Sequence, residues 1–148
     1  MNRIKYCIAN WKMYQNIDNV DYFINQLQNY NNEANKKIVI CPSSIHIDRV
    51  NKINIQDRFD IGAQDCHYEN NGAYTGQISV SMLKELNCRY VIIGHSERRT
   101  LFMESNELIN KKVIQCIKNN LIPIICIGEP IDVNKKNETK KYIENQIV

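Results

Sequence analysis

The amino-acid sequence predicts an α/β fold in which parallel β-strands alternate with α-helices. Two observations support this fold class: short apolar runs recur along the chain, and the segments between them carry apolar residues at helical spacing. Strands that alternate with helices pair in parallel through right-handed crossover connections. A length of 148 residues is usual for one domain, so residues 1–148 are predicted to form a single domain.

Five apolar runs are the predicted strands. They are mostly apolar rather than alternating in polarity, which is typical of parallel strands that are buried on both faces. The predicted sheet is therefore covered on both sides. The runs lie at residues 4–9, 37–41, 60–63, 90–94 and 122–128.

Helices are predicted between and after these strands from apolar stripes with a spacing of three or four residues. Ser105 stands where the N-cap of one helix is expected. A short segment at 44–50 and a final segment at 137–148 are also predicted to be helical. The stripes consist of Val20, Phe23, Ile24 and Leu27; of Val80, Leu83 and Leu86; of Leu108, Val113, Ile114 and Ile117; and of Tyr142, Ile143 and Ile147.

The composition argues against several classes of protein. With 19 basic and 16 acidic residues, the net charge of +3 is too small to indicate binding to nucleic acid or to an anionic membrane surface. No apolar run approaches the roughly 20 residues of a membrane-spanning helix, and no N-terminal secretory signal is found, so a cytoplasmic location is expected. None of the six cysteines forms a C-x-x-C pair, and they are predicted to be free, mostly buried thiols rather than metal ligands.

Two architectures fit this order of elements, an open doubly wound sheet and a (β/α) barrel. No strand is followed by the G-x-G-x-x-G or G-x-x-x-x-G-K-[ST] phosphate-binding motif of open sheets. Polar residues instead follow the ends of several strands, which is how a barrel builds its site, and the barrel is therefore favoured. These residues are Asn10, Trp11 and Lys12; Gln64 and Asp65; His95, Ser96 and Glu97; and Glu129.

Four of these residues are candidates for a chemical role. Lys12 supplies a cation, and the Asn10 amide can donate to a carbonyl or an oxyanion. His95, just before a predicted helix start at Ser96, could stay neutral and donate a hydrogen bond to a developing oxyanion. Glu97 could pair with Lys12 and fix its position. Each also has an ordinary interpretation: a surface lysine, a turn residue, a buried histidine bonded to backbone, and a first-turn glutamate.

Together, these residues resemble the triosephosphate isomerase family. The most specific parts of the resemblance are NWK at the end of the first strand and GHSERR after the fourth, and the likeness covers essentially the whole chain. It implies a (β/α)8 TIM barrel that is incomplete here. The stretches that carry it are ANWKM at 9–13, GAQDCHY at 62–68, GAYTGQIS at 72–79, YVIIGHSERR at 90–99 and PIICIGE at 123–129.

The resemblance implies an enzyme of glycolysis and gluconeogenesis that interconverts dihydroxyacetone phosphate and D-glyceraldehyde 3-phosphate through an enediolate, without a cofactor or a metal. It implies that His95, Lys12, Asn10 and Glu97 are catalytic, and that Asn10, Trp11 and Lys12 bind the phosphorylated triose. In that role His95 polarises the carbonyl and moves a proton between two oxygens, while Glu97 supports Lys12.

The segment 64–79 resembles the long third loop of the family, which inserts into the neighbouring subunit of a homodimer. Tyr74 and Thr75 are the interface residues that this resemblance implies. A long loop without its own secondary structure is usually functional in a compact domain. An ordinary exposed loop is the alternative.

The sequence departs from the family in its length. The family needs eight βα units and about 250 residues, whereas this sequence has five units in 148 residues. The catalytic glutamate that follows the sixth strand is expected to be missing, and neither Glu104 nor Glu129 stands in its motif. The first and fifth strands are expected to be open apolar edges. The chain alone is therefore predicted to be loosely folded or associating, and to lack isomerase activity.

Three interpretations follow from this departure. The chain could be the N-terminal part of a normal isomerase, which the intact site residues favour. It could instead be a truncated, non-catalytic remnant that at most binds a partner protein. A different barrel enzyme that acts on a sugar phosphate is the third interpretation, and the joint presence of NWKM and GHSERR argues against it.

Overall fold

The computed structural model describes residues 3–29, 35–55 and 57–147, which contain a single parallel sheet. The strand order is β1-β2-β3-β4-β5, so each strand lies beside the one before it in the chain. The sheet curls into part of a (β/α)8 barrel, which confirms the predicted fold class. The strands are β1 (Lys5–Asn10), β2 (Lys36–Cys41), β3 (Asp60–Ala63), β4 (Tyr90–Ile93) and β5 (Ile122–Ile125).

Helices occupy the connections between these strands. A 3-10 turn at Ser44–His46 leads into the second helix. The predicted N-cap at Ser105 is confirmed, because its Oγ accepts a hydrogen bond of 3.2 Å from the backbone N–H of Leu108. The helices are α1 (Ile17–Gln28), α2 (Ile47–Ile53), α3 (Val80–Glu85), α4 (Ser96–Leu101), α5 (Asn106–Lys118), α6 (Ile131–Lys135) and α7 (Thr139–Ile147).

Several element bounds differ from the sequence prediction, most of them by one or two residues. Strand β5 ends at Ile125, three residues before the end of the predicted run. Helix α6 was not predicted, because its five residues are too few to show a helical pattern. The final helix is confirmed as α7, although residue 148 lies outside the described residues. In the part of the chain that the structure describes, no helix has the length and apolar character needed to cross a membrane.

The two faces of the sheet contact separate apolar clusters. One face packs against the helices, and the other forms the concave side of the curled sheet, as the alternation of side chains along each strand requires. The helix-side cluster includes Ile40, Ile61, Val91 and Ile93 from the strands with Val20, Ile24, Val50, Leu83 and Ile109 from the helices. The concave cluster is formed by Val39, Cys41, Tyr90 and Ile92, with Ile124 and Cys126 at its margin.

Gly62 permits close packing on the concave side. A Cβ atom at this position would lie 2.6 Å from Cys41 Sγ and 3.3 Å from Tyr90 Cβ. Any other residue would therefore push the Cys41 side chain aside and crowd Tyr90, since β3 runs between β2 and β4.

Strands β1 and β5 form the two edges of the sheet. Among the described residues, β1 pairs only with β2 and β5 pairs only with β4. Both edges expose apolar side chains, as the sequence predicts for strands with one neighbour. These side chains are Ile4, Tyr6 and Ile8 at one edge, and Ile122, Ile125 and Ile127 at the other.

Candidate active site

The carboxyl ends of β1, β3 and β4 open onto a cavity of about 640 Å³. The structure brings Asn10, Lys12, Gln64, His95 and Glu97 to its wall. Because parallel strands all end on the same edge of a sheet, residues far apart in sequence meet there. Four of the five predicted catalytic and substrate-binding residues, namely all except Trp11, therefore share one cavity.

Lys12 has a constrained backbone. Its φ angle is +52°, in the left-handed region that few residues other than glycine adopt. The side chain of Asn10 accepts a hydrogen bond of 3.0 Å from the Lys12 N–H. Ser43 Oγ and Gln64 Nε2 both donate to the Lys12 carbonyl at 2.9 Å. Three side chains from three strand ends thus hold a conformation that costs about 1–3 kcal/mol.

The Lys12 side chain ends in an ion pair with Glu97. Lys12 Nζ lies 2.7 Å from Glu97 Oε1, and roughly two fifths to half of each side chain is exposed to solvent. The hydrogen bond between them is the main cause that raises the pKa of Lys12 and lowers the pKa of Glu97. Both groups are therefore charged near neutral pH, and the cation is held at the mouth of the cavity.

His95 lies between β4 and α4, where it caps the helix. The backbone N–H of Glu97 donates to His95 Nδ1 at 3.3 Å. A backbone N–H can only donate, so this bond assigns the lone pair to Nδ1 and the proton to Nε2 of a neutral ring. The ring borders the cavity, and Nε2–H is then its hydrogen-bond donor. Glu97 Oε2 also lies 3.3 Å from Nδ1, a contact between two acceptors in this tautomer that adds no hydrogen bond; the Glu97 carboxylate is held by Lys12 instead.

Arg99 fixes the strand end that carries His95. Its guanidinium donates to the Gly94 carbonyl at 2.8 Å, to Asn106 Oδ1 at 2.7 Å and to the Cys126 carbonyl at 3.2 Å. Gly94 has a φ of +70°, and a Cβ there would lie 3.0 Å from the Arg99 guanidinium. The turn before His95 is therefore specified both by glycine and by the arginine that packs over it.

A buried network of four charges lies beside the cavity. Lys112 Nζ contacts Asp65 Oδ1 at 2.7 Å and also contacts Glu104 Oε1. Arg98 bonds to Asp65 at 2.9 Å and to Glu104 at 2.7 Å. The side chains of Lys112 and Glu104 are each only 3% exposed. Two cations and two carboxylates balance, as buried charges require. Burial nevertheless raises the pKa of Asp65, against the effect of the two cations.

Neither alternative carboxylate is placed to act as a base in the cavity. Glu104 is engaged by Arg98 and Lys112, and its side chain is buried in the network. Glu129 accepts hydrogen bonds from Asn134 at 2.9 Å and from Thr139 at 3.1 Å, and these bonds lower its pKa. Neither residue lines the cavity.

Trp11 was predicted to bind substrate, but its side chain lies elsewhere. It is 7% exposed and belongs to the helix-side apolar cluster. Its ring packs edge-on against Phe23, with centroids 5.3 Å apart. The side chain alternates to the opposite face from Asn10, so the indole does not border the cavity.

The long loop that carries Tyr74 and Thr75 is pinned at its base. The His67 N–H donates to the Ile78 carbonyl at 2.8 Å, which brings the two ends of the loop together. The centroids of the Tyr74 and His67 rings are 4.1 Å apart. Thr75 is exposed, and Gly76 beside it lines the cavity with a φ of +83°.

Sequence reasoning missed Ser43 and Lys112 in this region. Ser43 follows the end of β2. A search for polar residues after every predicted strand, including β2, would have identified it. Lys112 lies on the buried face of α5 with Ile109 and Cys116. A lysine in the middle of an apolar stripe is therefore the signal that could have revealed the network. Within the described residues, no group of three or more His, Cys, Asp or Glu side chains is arranged to hold a metal ion.

The parallel sheet and the polar cavity at its strand ends are those of the (β/α)-barrel class. The sequence profile of triosephosphate isomerase matches residues 5–148. Relatives with that name include those of Dictyoglomus turgidum, 43% identical over 146 residues, and Aquifex aeolicus, 41% identical over 140 residues. The alignments cover 98% and 94% of this chain but only 59% and 57% of the relatives. The chain belongs to the triosephosphate isomerase family and spans somewhat less than three fifths of these relatives' length.

The buried network predicts a large effect of one lysine. Lys112→Met would leave Asp65 and Glu104 with Arg98 as their one remaining cation and therefore with an unbalanced negative charge, so we expect the free energy of unfolding to fall by about 3–5 kcal/mol. Urea unfolding followed by circular dichroism measures this change. Lys111→Met is the matched control, because the exposed Lys111 only approaches the Tyr68 ring at 5.5 Å. Equal effects of the two substitutions would contradict the prediction.

The Lys12–Glu97 pair predicts an acid-sensitive part of stability. The folded-state pKa of Glu97 lies below its ordinary value of 4.5. Its stabilising contribution is therefore complete above pH 4.5 and is lost as the pH falls through the folded-state pKa. Unfolding free energies measured from neutral pH to about pH 3 should depend less on pH in Glu97→Gln. Lys12→Met should flatten the same part of the curve, because it removes the cation. An unchanged pH slope in both variants would show that the pair is uncoupled from folding.

Proposed function

We propose that this chain supplies the first five βα units, and the carbonyl-polarising side of the site, of a triosephosphate isomerase. The reaction is the interconversion of dihydroxyacetone phosphate and D-glyceraldehyde 3-phosphate, a step of glycolysis and gluconeogenesis in the cytoplasm. The observation that carries this proposal is the convergence of Lys12, His95 and Asn10 on one cavity. The family likeness over residues 5–148 supports the choice of substrate.

In the proposed chemistry, the Lys12 ammonium and the His95 N–H are already in position before the reaction begins. Removal of a proton from the carbon beside the carbonyl produces an enediolate, whose negative charge develops on oxygen. His95 Nε2–H donates to that oxygen, while the Lys12 ammonium offsets the charge of the oxygen and of the phosphate. Because Glu97 and three backbone-holding side chains fix Lys12, its cation need not reorganise as the charge forms.

Proton removal from carbon requires a base that these residues do not provide. In this family a glutamate performs that step. In the described part of this chain, Glu104 is buried in the charged network, Glu129 is bonded to α6 and α7, and Glu97 is paired with Lys12. Asp65 lines the cavity, but Lys112 and Arg98 bind its carboxylate. We therefore infer that the 148-residue chain does not turn over substrate alone.

A non-catalytic role as a protein-binding module is the second candidate function. Apolar side chains on the rim of the cavity are exposed, and they suit a protein surface better than a small phosphorylated sugar. The exposed fractions are 93% for Met13, 82% for Tyr14, 73% for Leu101 and 65% for Phe102. Loss of catalysis would leave such a surface intact, so an activity measurement separates the two functions.

The activity test uses the chain alone and the chain mixed with a separately made segment. That segment covers the sixth to eighth βα units of the Dictyoglomus turgidum relative. We expect isomerase activity only in the mixture. His95→Ala should lower that activity about 10²–10⁴-fold, the usual contribution of positioned proton transfer. Lys111→Met, which lies outside the cavity, should leave it unchanged.

Two results of this test would change the proposed function. Activity of the unmixed chain would contradict the inference that it lacks a base. Absence of activity in a mixture that circular dichroism shows to be folded would refute the isomerase role and favour the protein-binding module.

We also propose that the complete assembly is a homodimer in which Tyr74 and Thr75 enter the partner subunit. The exposed apolar rim borders the same cavity as Gly76, which directly follows Thr75, and this supports an interface there. Thr75→Arg would place a charge in that interface, so we expect the dimer dissociation constant of the complemented assembly to rise about tenfold or more. Sedimentation equilibrium measures it. Asn19→Arg adds the same charge on the exposed side of α1 and should have no effect.

A further inference from the structure

Two buried cysteines meet where the long loop packs on helix α5. Cys66 lies two residues after Gln64 at the start of the loop, and Cys116 lies in the third turn of α5. Their Sγ atoms are 3.6 Å apart, although 50 positions separate them in the sequence. Their side chains are buried, with 2% and 0% of the residue surface exposed. This sulfur–sulfur contact plays no part in the proposed isomerase chemistry.

The neighbouring residues hold the two sulfur atoms together. Asp65, immediately before the first cysteine, bonds to Lys112 at 2.7 and 2.9 Å, one helical turn before the second. A second hydrogen bond of 2.7 Å joins Gln115 to Asn70 farther along the loop. The loop is thus attached to the helix on both sides of Cys66, and these bonds hold its sulfur against Cys116.

We propose that Cys66 and Cys116 are a site of reversible disulfide formation, oxidised by hydroperoxides, that fastens the long loop to α5. A disulfide needs an S–S distance of about 2.05 Å, so the sulfur atoms must approach by roughly 1.5 Å. Rotation of the two side chains about Cα–Cβ can supply much of this movement, since neither cysteine is bonded to a metal or another sulfur.

The oxidation proceeds in two balanced steps. Cys66 borders the cavity but is only 2% exposed, so a hydroperoxide reaches its sulfur from the cavity side when the loop opens locally. The thiol takes one oxygen atom from the peroxide and becomes a sulfenic acid, while the peroxide leaves as water or an alcohol. The Cys116 thiol then attacks this sulfur, the S–O bond breaks, and the hydroxyl leaves with the thiol proton as water. The two cysteines lose two electrons, which the peroxide gains.

The local environment makes this pair selective but slow to react. The hydrogen bond to Cys116 and burial raise the pKa of Cys66, whereas the same hydrogen bond lowers the pKa of Cys116. Burial raises the pKa of Cys88 to about 12, and that thiol has no such bond among the described residues. Proximity, rather than general reactivity, should therefore decide which pair is joined.

The test is peptide mapping of the folded chain after treatment with hydrogen peroxide. Remaining thiols are blocked in urea, and the chain is digested with trypsin without reduction. We expect a cross-link between peptides 59–84 and 113–118 that is two hydrogen masses lighter than their sum and is cleaved by dithiothreitol. Its yield relative to other cysteine pairings should be about tenfold higher than in a chain oxidised in urea, because folding raises the effective concentration of the two thiols.

Two variants and a longer form of the chain serve as controls for this experiment. Cys116→Ala should abolish the cross-link, whereas Cys88→Ala, which removes another buried thiol, should retain it. If circular dichroism shows that the chain alone is unfolded, the same mapping is done on the chain extended by the C-terminal units of the Dictyoglomus turgidum relative. A folded sample without the cross-link, or with only the yield found in urea, would overturn the proposal.

Discussion

The ammonium group of Lys112 connects the parts of the structure that build the site. It contacts Asp65 at the start of the long loop and Glu104 between α4 and α5, while Arg98 of α4 bonds to the same two carboxylates. Asp65 directly follows Gln64, which holds the Lys12 backbone, and Arg98 directly follows Glu97, which holds the Lys12 side chain. Weakening this buried network would therefore disturb the exposed cation from two directions. The exposed Lys12–Glu97 pair adds little to stability by comparison, because solvent screens it. Its effect is to hold the Lys12 ammonium at the cavity.

The fold could be predicted because its central strands have long stretches that are buried on both faces. A parallel strand between two layers is apolar where it is covered, and this leaves a clear pattern at Tyr90–Ile93 and at residues 38–41 of β2. Short elements gave no such signal. Helix α6 has no buried residue, so it carries no apolar stripe that would reveal it. The end of β5 was placed too late because the apolar run continues beyond Cys126, whose N–H makes the last hydrogen bond to β4 at the Ile93 carbonyl.

The candidate site was predictable as far as it follows from strand ends. Asn10, Lys12, His95 and Glu97 come directly after β1 or β4, and parallel pairing brings those ends together. The direction of each side chain was harder to predict from the sequence. Trp11 follows Asn10 in sequence, yet alternation turns its side chain into the core. Predicting the contacts of Lys112 requires knowing which face of α5 packs on the loop, and a single sequence does not show this.

The strand order has a consequence for how the molecule is made. Every described strand after β1 pairs with the one that precedes it in the chain, so β2 to β5 each have one partner that is already synthesised. Chains leave the ribosome from the N-terminus at a rate of about 5–20 residues per second. A β-strand that emerges therefore finds its neighbour already present, and the sheet can grow in the order of translation. The contacts formed in this way are close in sequence, which keeps the entropy cost of closing each loop small.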